Sequence, residues 1–251
     1  MDLLDEFAAR ARGTLQRGYY DLMGVQAEAQ TPSLVAAVAS RPRAILAEIK
    51  PASPSEGALR AQALGTAEGL VKAGARGLSV LTEPEVFHGS IQALRGASKL
   101  GVPTMMKDFA LAEAQLACAR RCGARAVLLI ASLHARGLAD LPMAEMVQRA
   151  HGHGLEALVE VASASEFRDA QAAGADLIGI NNRDLRNLAM DLQRTPRILA
   201  EVTKDRPVVG LSGVHTRADA DALFAAGCDA ILVGSSLMKA PDPAGKLREL
   251  L

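Results

Sequence analysis

Four short segments of the chain are near-copies of one another: Ala73-Gly74-Ala75, Cys122-Gly123-Ala124, Ala173-Gly174-Ala175 and Ala226-Gly227-Cys228. Their glycines stand 49, 51 and 53 residues apart. Each follows an alanine-rich stretch of helical composition and comes just before a short apolar run. A glycine there suits the left-handed residue that ends a helix, because it has no Cβ to clash in that conformation. Repetition of this pattern at about 50 residues points to an architecture that spends two strand–helix units per period.

Filling in the intermediate strands gives eight apolar runs: Ala44–Ile49, Gly77–Leu81, Val102–Met106, Ala126–Ala131, Leu155–Val161, Leu177–Ile180, Val208–Leu211 and Ala230–Val233. Segments of helical composition lie between them, among them Leu111–Arg121, Ala164–Ala173 and Arg217–Ala226. Thr216 is placed to cap the last of these, with Asp219 three residues on. Ahead of the first run, Leu3, Leu4, Phe7, Ala11 and Leu15 share one face of an amphipathic helix. This arithmetic predicts an α/β fold, a (β/α)8 TIM barrel formed by residues 1–251 as one domain, with 1–43 as an N-terminal helical extension. An open, doubly wound sheet is the competing arrangement. It would carry a glycine fingerprint after its first strand, where this chain has Lys50-Pro-Ala-Ser-Pro-Ser.

Composition removes several classes of function. Lys plus Arg equals Asp plus Glu, 28 of each, so no global field draws the chain to nucleic acid or an anionic membrane. No apolar run approaches membrane length, and the start, MDLLDEFAARARG, is acidic where a secretion signal is basic; a cytoplasmic protein is expected. Cys118, Cys122 and Cys228 read as reduced, packed thiols. No metal site is expected, since nothing near Cys118 and Cys122 completes one and His151-Gly152-His153 reads as a solvated loop away from the strand ends.

The strands end in polar groups. The first runs into Glu48 and Lys50, the third into Lys107, the fifth into Glu160, and the sixth into Asn181 and Arg183. Side chains alternate faces along a strand, so Glu48 and Lys50 share a face, as do Lys107 and Phe109, and Asn181 and Arg183. In a barrel that face is the interior, and the C-terminal rim carries the chemistry. Asp108 and Asp184 point away by the same parity and are expected to bind backbone or neighbouring helices. The seventh and eighth strands end instead in Ser212-Gly213 and Gly234-Ser235-Ser236, small residues whose exposed amides suit a phosphate. Ser53 and Ser55 in the first loop add hydroxyl donors. Lys50, Lys107 and Arg183 outnumber Glu48 and Glu160 by one, which with those amides predicts an anionic ligand. Phe87, Phe109 and Leu128 supply a flat apolar wall for a ring.

Taken in order, AEIKPASPSEG, SVLTEPEVFHGS, VPTMMKDF, AVLLIASL, LVEV, IGINNRDL, SGV and LVGSSLM resemble the indole-3-glycerol-phosphate synthase family over residues from about 33 to 251. The resemblance implies cofactor-free closure of an indole ring from 1-(2-carboxyphenylamino)-1-deoxyribulose 5-phosphate, with loss of carbon dioxide and water. It implies Lys107 as general acid, Glu160 as the acid/base of the dehydration, and a Glu48–Lys50 pair that moves protons and holds substrate charge. Asn181 and Arg183 would position the carboxylate and hydroxyls, Phe87, Phe109, Leu128 and Leu185 would enclose the ring, and Ser53, Ser212, Gly213, Gly234 and Ser235 would hold the phosphate. The implied partner is a small molecule bearing phosphate and carboxylate, with no nucleic acid or membrane, and the chain is expected as a monomer or weak homodimer. Three features depart from the family pattern. Leu211 stands, facing the pocket, where a glutamate is usual; Pro51 follows Lys50 where a basic residue is usual; and Arg17-Gly-Tyr-Tyr-Asp matches poorly. A diverged phosphate-binding barrel enzyme and a non-catalytic sugar-phosphate sensor remain as alternatives.

Overall fold

The computed structural model describes residues 2–40 and 42–251. Eight strands, β1 (Ala44–Ile49), β2 (Gly77–Leu81), β3 (Thr104–Lys107), β4 (Ala126–Ile130), β5 (Glu156–Val161), β6 (Leu177–Asn181), β7 (Val208–Leu211) and β8 (Ala230–Val233), form a closed barrel. All pair in parallel, and β8 closes on β1 through Ala44↔Ala230 to Ala47↔Val233. Closure excludes the doubly wound sheet. The four repeated glycines have φ of +115°, +84°, +82° and +110°, the left-handed residues that end their helices.

Element edges differ from the periodicity in ways the local chemistry explains. β3 starts at Thr104 rather than Val102, since Pro103 has no N–H for the ladder, and it runs on to include Lys107. The following helix starts at Glu113 rather than Leu111, because the Gln115 carboxamide accepts from the backbone N–H groups of Leu111 (2.7 Å) and Ala112 (3.2 Å) and caps it there. Helix Arg217–Ala225 begins with the expected box, Thr216 and Asp219 each taking a hydrogen bond from the other's backbone N–H.

Two apolar layers follow from strand alternation. Ile45, Ala47, Ile49, Val80, Val159 and Ile178 face outward and pack under the helices. Leu46, Met105, Leu128, Leu158, Leu177, Val209 and Leu232 fill the barrel interior. The N-terminal segment covers both ends. Helix α1 (Leu3–Gln16), capped by Asp2, buries Leu4, Phe7 and Ala11 over the C-terminal mouth, with Leu3 and Leu15 half-buried. Burial of side chains such as Leu4 and Phe7 contributes about 1.5–3 kcal/mol each. Helix α2 (Leu34–Ala39) plugs the opposite end, where the Glu156 carboxylate accepts from the N–H groups of Leu34 (2.8 Å) and Val35 (3.1 Å). Among the described residues, no helix is long and apolar enough to cross a membrane.

Candidate active site

The C-terminal strand ends open into a cavity. Glu48, Lys50, Lys107, Glu160, Asn181 and Arg183 line one side, and Leu211, Ser212, Gly213, Gly234 and Ser235 the other. An ammonium from the third strand and a carboxylate from the fifth therefore share one mouth, beside a wall of small residues.

Glu48 is 4% exposed, and each of its oxygens serves a different ammonium. Oε2 lies 3.1 Å from Lys50 Nζ and Oε1 lies 3.8 Å from Lys107 Nζ. Burial pushes this carboxyl up, but Lys50 and Lys107 outweigh it and hold the group below the ordinary glutamate range. Glu160, also 4% exposed, accepts a 2.7 Å hydrogen bond from Asn181 Nδ2. Here burial prevails over the pull of Lys107 and Asn181, and the carboxyl is raised. Asn181 is fixed in turn, its Oδ1 accepting from Arg183 N at 2.9 Å and its carbonyl from Arg194 Nη1 at 2.8 Å.

Next to Lys107 and Glu160 lies an apolar recess lined by Phe87, Phe109, Leu128, Ile130 and Leu185. Phe7 of α1 completes this wall, stacking on Phe109 with centroids 5.1 Å apart. A ring held there lies within reach of an acid and a base.

On the other side the backbone is drawn into unusual conformations. Ser212 and Gly213 are both left-handed, at φ +66° and +88°, so the chain turns sharply at the end of β7. Gly234 does more than make a turn: a Cβ there would overlap the Glu48 carboxylate. Gly179 likewise leaves room for its neighbours, since a Cβ would come within 2.8 Å of Leu211 Cδ1.

Comparison with known proteins agrees with this geometry. The family model described as indole-3-glycerol phosphate synthase matches residues 10–250. The chain belongs to that family. A protein of that name from Koribacter versatilis is 38% identical over 249 residues, covering 98% of this chain and 90% of that protein. One from Carboxydothermus hydrogenoformans is 44% identical over 212 residues, covering 82% and 78%. Among solved structures, a thiamine phosphate pyrophosphorylase from Pyrococcus furiosus superposes with a TM-score of 0.61 at 19% identity, covering 83% of this chain and 93% of that one, which supports the barrel fold alone.

In this member of the synthase family, every site residue expected from sequence lies on the cavity or its recess. The charge count was incomplete, because Glu56 of the first loop also lines the cavity, with His215. Glu56 sits in a Ser-Pro-Ser-Glu-Gly turn, where a charge reads as solvated. Phe7 was assigned only to an apolar helix face, and nothing in a period of 3.6 says which of its residues reaches a ligand. Asp108 points away from the mouth's ion pairs, as parity requires, yet it lines the recess. It accepts from Tyr20 Oη (2.9 Å), Thr82 Oγ1 (2.5 Å) and Phe109 N (2.8 Å), and burial pushes it up to about 6 against those bonds. The poorly matching Tyr-Tyr segment is thereby anchored to the end of β3. Asp184 binds Arg186, as expected for a group outside the pocket. His151 and His153 lie at a helix end and not in a loop: His151, exposed as expected, is in the last turn and bonds Asp176 (2.8 Å), and His153 is the C-cap and bonds Glu113 (3.0 Å).

Proposed function

We propose that this chain closes the indole ring of 1-(2-carboxyphenylamino)-1-deoxyribulose 5-phosphate, releasing carbon dioxide and water. The observation that carries this reading is the opening of Lys107 and Glu160 into one cavity between an apolar recess and a small-residue cradle. The ring lies in the recess against Phe87, Phe109, Leu128 and Leu185, with Asn181 and Arg183 on the carboxylate and hydroxyls. Ser53, Ser212, Gly213, Gly234 and Ser235 take the phosphate.

Closure joins the ring carbon bearing the carboxylate to the ribulose carbonyl carbon. Lys107 gives its proton to the carbonyl oxygen as that bond forms, and the carboxylate leaves as carbon dioxide. Glu48, 3.8 Å from Lys107, helps return the proton, while Lys50 balances substrate charge. The new hydroxyl then leaves as water with a proton from Glu160, a carboxyl that burial shifts toward the protonated form needed for that step. The Glu160 carboxylate left by that transfer takes a proton from the nitrogen-bearing methylene carbon, which completes the indole and restores the acid. Residues 1–43 act as an extension of this one barrel domain, and the protein works in the cytoplasm as a monomer or weak homodimer.

Incubation of the purified protein with the carboxyphenylamino ribulose phosphate, followed by indole fluorescence, tests this directly. Turnover is expected, and Lys107→Ala is expected to lower it about 10²–10⁴-fold, the usual range for a general acid. No indole from the wild type, or full activity in the variant, refutes the assignment.

A further inference from the structure

The first loop turns back over the mouth and inserts a carboxylate among the groups assigned to phosphate. Glu56 Oε2 accepts a short hydrogen bond from Ser235 Oγ and a longer one, 3.4 Å, from Ser53 Oγ. Its Oε1 lies 2.7 Å from Lys239 Nζ. Burial pushes this carboxyl up, but Lys239 and Ser235 more than offset it, and it is held at about 2. One residue earlier, Ser55 Oγ accepts from Arg183 Nη1 at 3.2 Å. The loop is thus tied to both walls of the cavity, through Arg183 on the charged side and through Ser235 on the other.

A phosphate and a carboxylate cannot use the same hydroxyl donors, and two anions at that separation repel. We propose that Glu56 is an internal stand-in for the substrate phosphate, which must displace the Glu56 carboxylate to enter the cradle and so sets the affinity for phosphate ligands. This rests on the phosphate assignment given above and adds a residue that determines specificity. A tethered carboxylate competes at a high effective concentration without leaving the protein. Free inorganic phosphate has no other contact with which to overcome it. A sugar phosphate that also fills the aryl recess does. Displacement removes the loop's ties to Ser235 and Lys239 and leaves its bond to Arg183, so occupancy of the cradle is coupled to how the loop is held over the mouth.

Calorimetric titration of the full chain with inorganic phosphate, at fixed ionic strength, tests this. If the cradle is open about one-tenth of the time, Glu56→Gln tightens phosphate binding about tenfold, because apparent affinity scales with the competent fraction. Glu56→Asp, one carbon shorter and still charged, tightens it less, and Ser235→Ala weakens it in either background. The KM for the substrate falls by the same factor as the phosphate dissociation constant in Glu56→Gln. Equal or weaker phosphate binding in Glu56→Gln, with Ser235→Ala still harmful, overturns the stand-in role and leaves the cradle intact. Phosphate binding that ignores both Glu56→Gln and Ser235→Ala overturns the cradle assignment as well.

Discussion

Glu48 and Glu160 carry the same functional group, are 4% exposed each, and line the same cavity, yet their acidities move in opposite directions. The difference lies in what surrounds them. Glu48 sits between Lys50 and Lys107, two ammoniums within 4 Å, and their attraction overcomes the cost of taking a charge out of water. Glu160 has a neutral amide as its hydrogen-bond partner and also lines the apolar recess, so the cost of burial prevails over the pull of Lys107. One carboxyl of the rim is therefore held toward its charged form and the other is shifted toward its protonated form. A pair of carboxyls pushed apart in this way divides structural from acid–base work.

Within this pair, the larger expected effect comes from Glu160. Glu160→Gln retains the shape and the contact with Asn181 but has no proton to transfer. Turnover is expected to fall about 10²–10³-fold with little change in KM, within the range for loss of one acid–base group. A fall of less than about fivefold in kcat removes Glu160 from the chemistry and makes the comparison a structural one only.

A second, smaller effect appears in stability, and its sign separates the two residues. Glu48 is more acidic folded than unfolded, so its contribution is present above the ordinary carboxylate range and is lost as pH falls through its lowered folded value. Glu160 is less acidic folded, so its contribution is present below that range and is lost as pH rises through its raised folded value. At pH 8, Glu48→Gln is expected to cost about 2 kcal/mol, because two partly buried ammoniums lose their shared partner. That corresponds to a drop of roughly 4–8 °C in melting temperature for a chain of this size. Glu160→Gln at the same pH is expected to be neutral or mildly stabilising. Thermal melts of both variants at pH 5 and pH 8 check this, and equal losses at pH 8 erase the distinction.

Much of this contrast was legible in the sequence because strand parity is local. Glu48 and Lys50, or Lys107 and Phe109, need only a period of two to be placed on one face. The four helix-ending glycines made the eightfold repeat countable for the same reason, since a left-handed residue is a short-range requirement. The opposite acidities were not legible. They depend on Lys107 standing 59 positions after Glu48 in the chain and 3.8 Å from it in space, a distance set by closure of the barrel. Phe7, stacked on Phe109, and Tyr20, bonded to Asp108, are brought to the site from the extension by long-range packing alone. Glu56 was not legible either, because a loop carboxylate declares nothing until its partners, Ser235 and Lys239, arrive from the helix that follows β8.

The smallest expected effect sharpens the comparison at Leu211, where the family usually has a glutamate. Leu211 is the register partner of Asn181, the residue that bonds Glu160, and it packs over Gly179 at the seam between the two sides of the mouth. An acid at this position would add a negative charge to the cavity that holds Lys107, favouring its ammonium form, and would raise Glu160 further by like-charge repulsion. Both changes suit a general acid and a proton donor. Leu211→Glu is therefore expected to raise kcat several-fold, and to move the alkaline limb of its pH profile upward as Glu160 holds its proton longer. Opposing this, the new carboxylate exchanges an apolar, 2% exposed side chain for a charge, so some stability is lost. Steady-state kinetics from pH 6 to 9 on both proteins decide between these effects. A variant with unchanged turnover and an unchanged alkaline limb means that Lys107, Glu48 and Glu160 already meet the reaction's need for charge, and that the leucine costs this enzyme nothing.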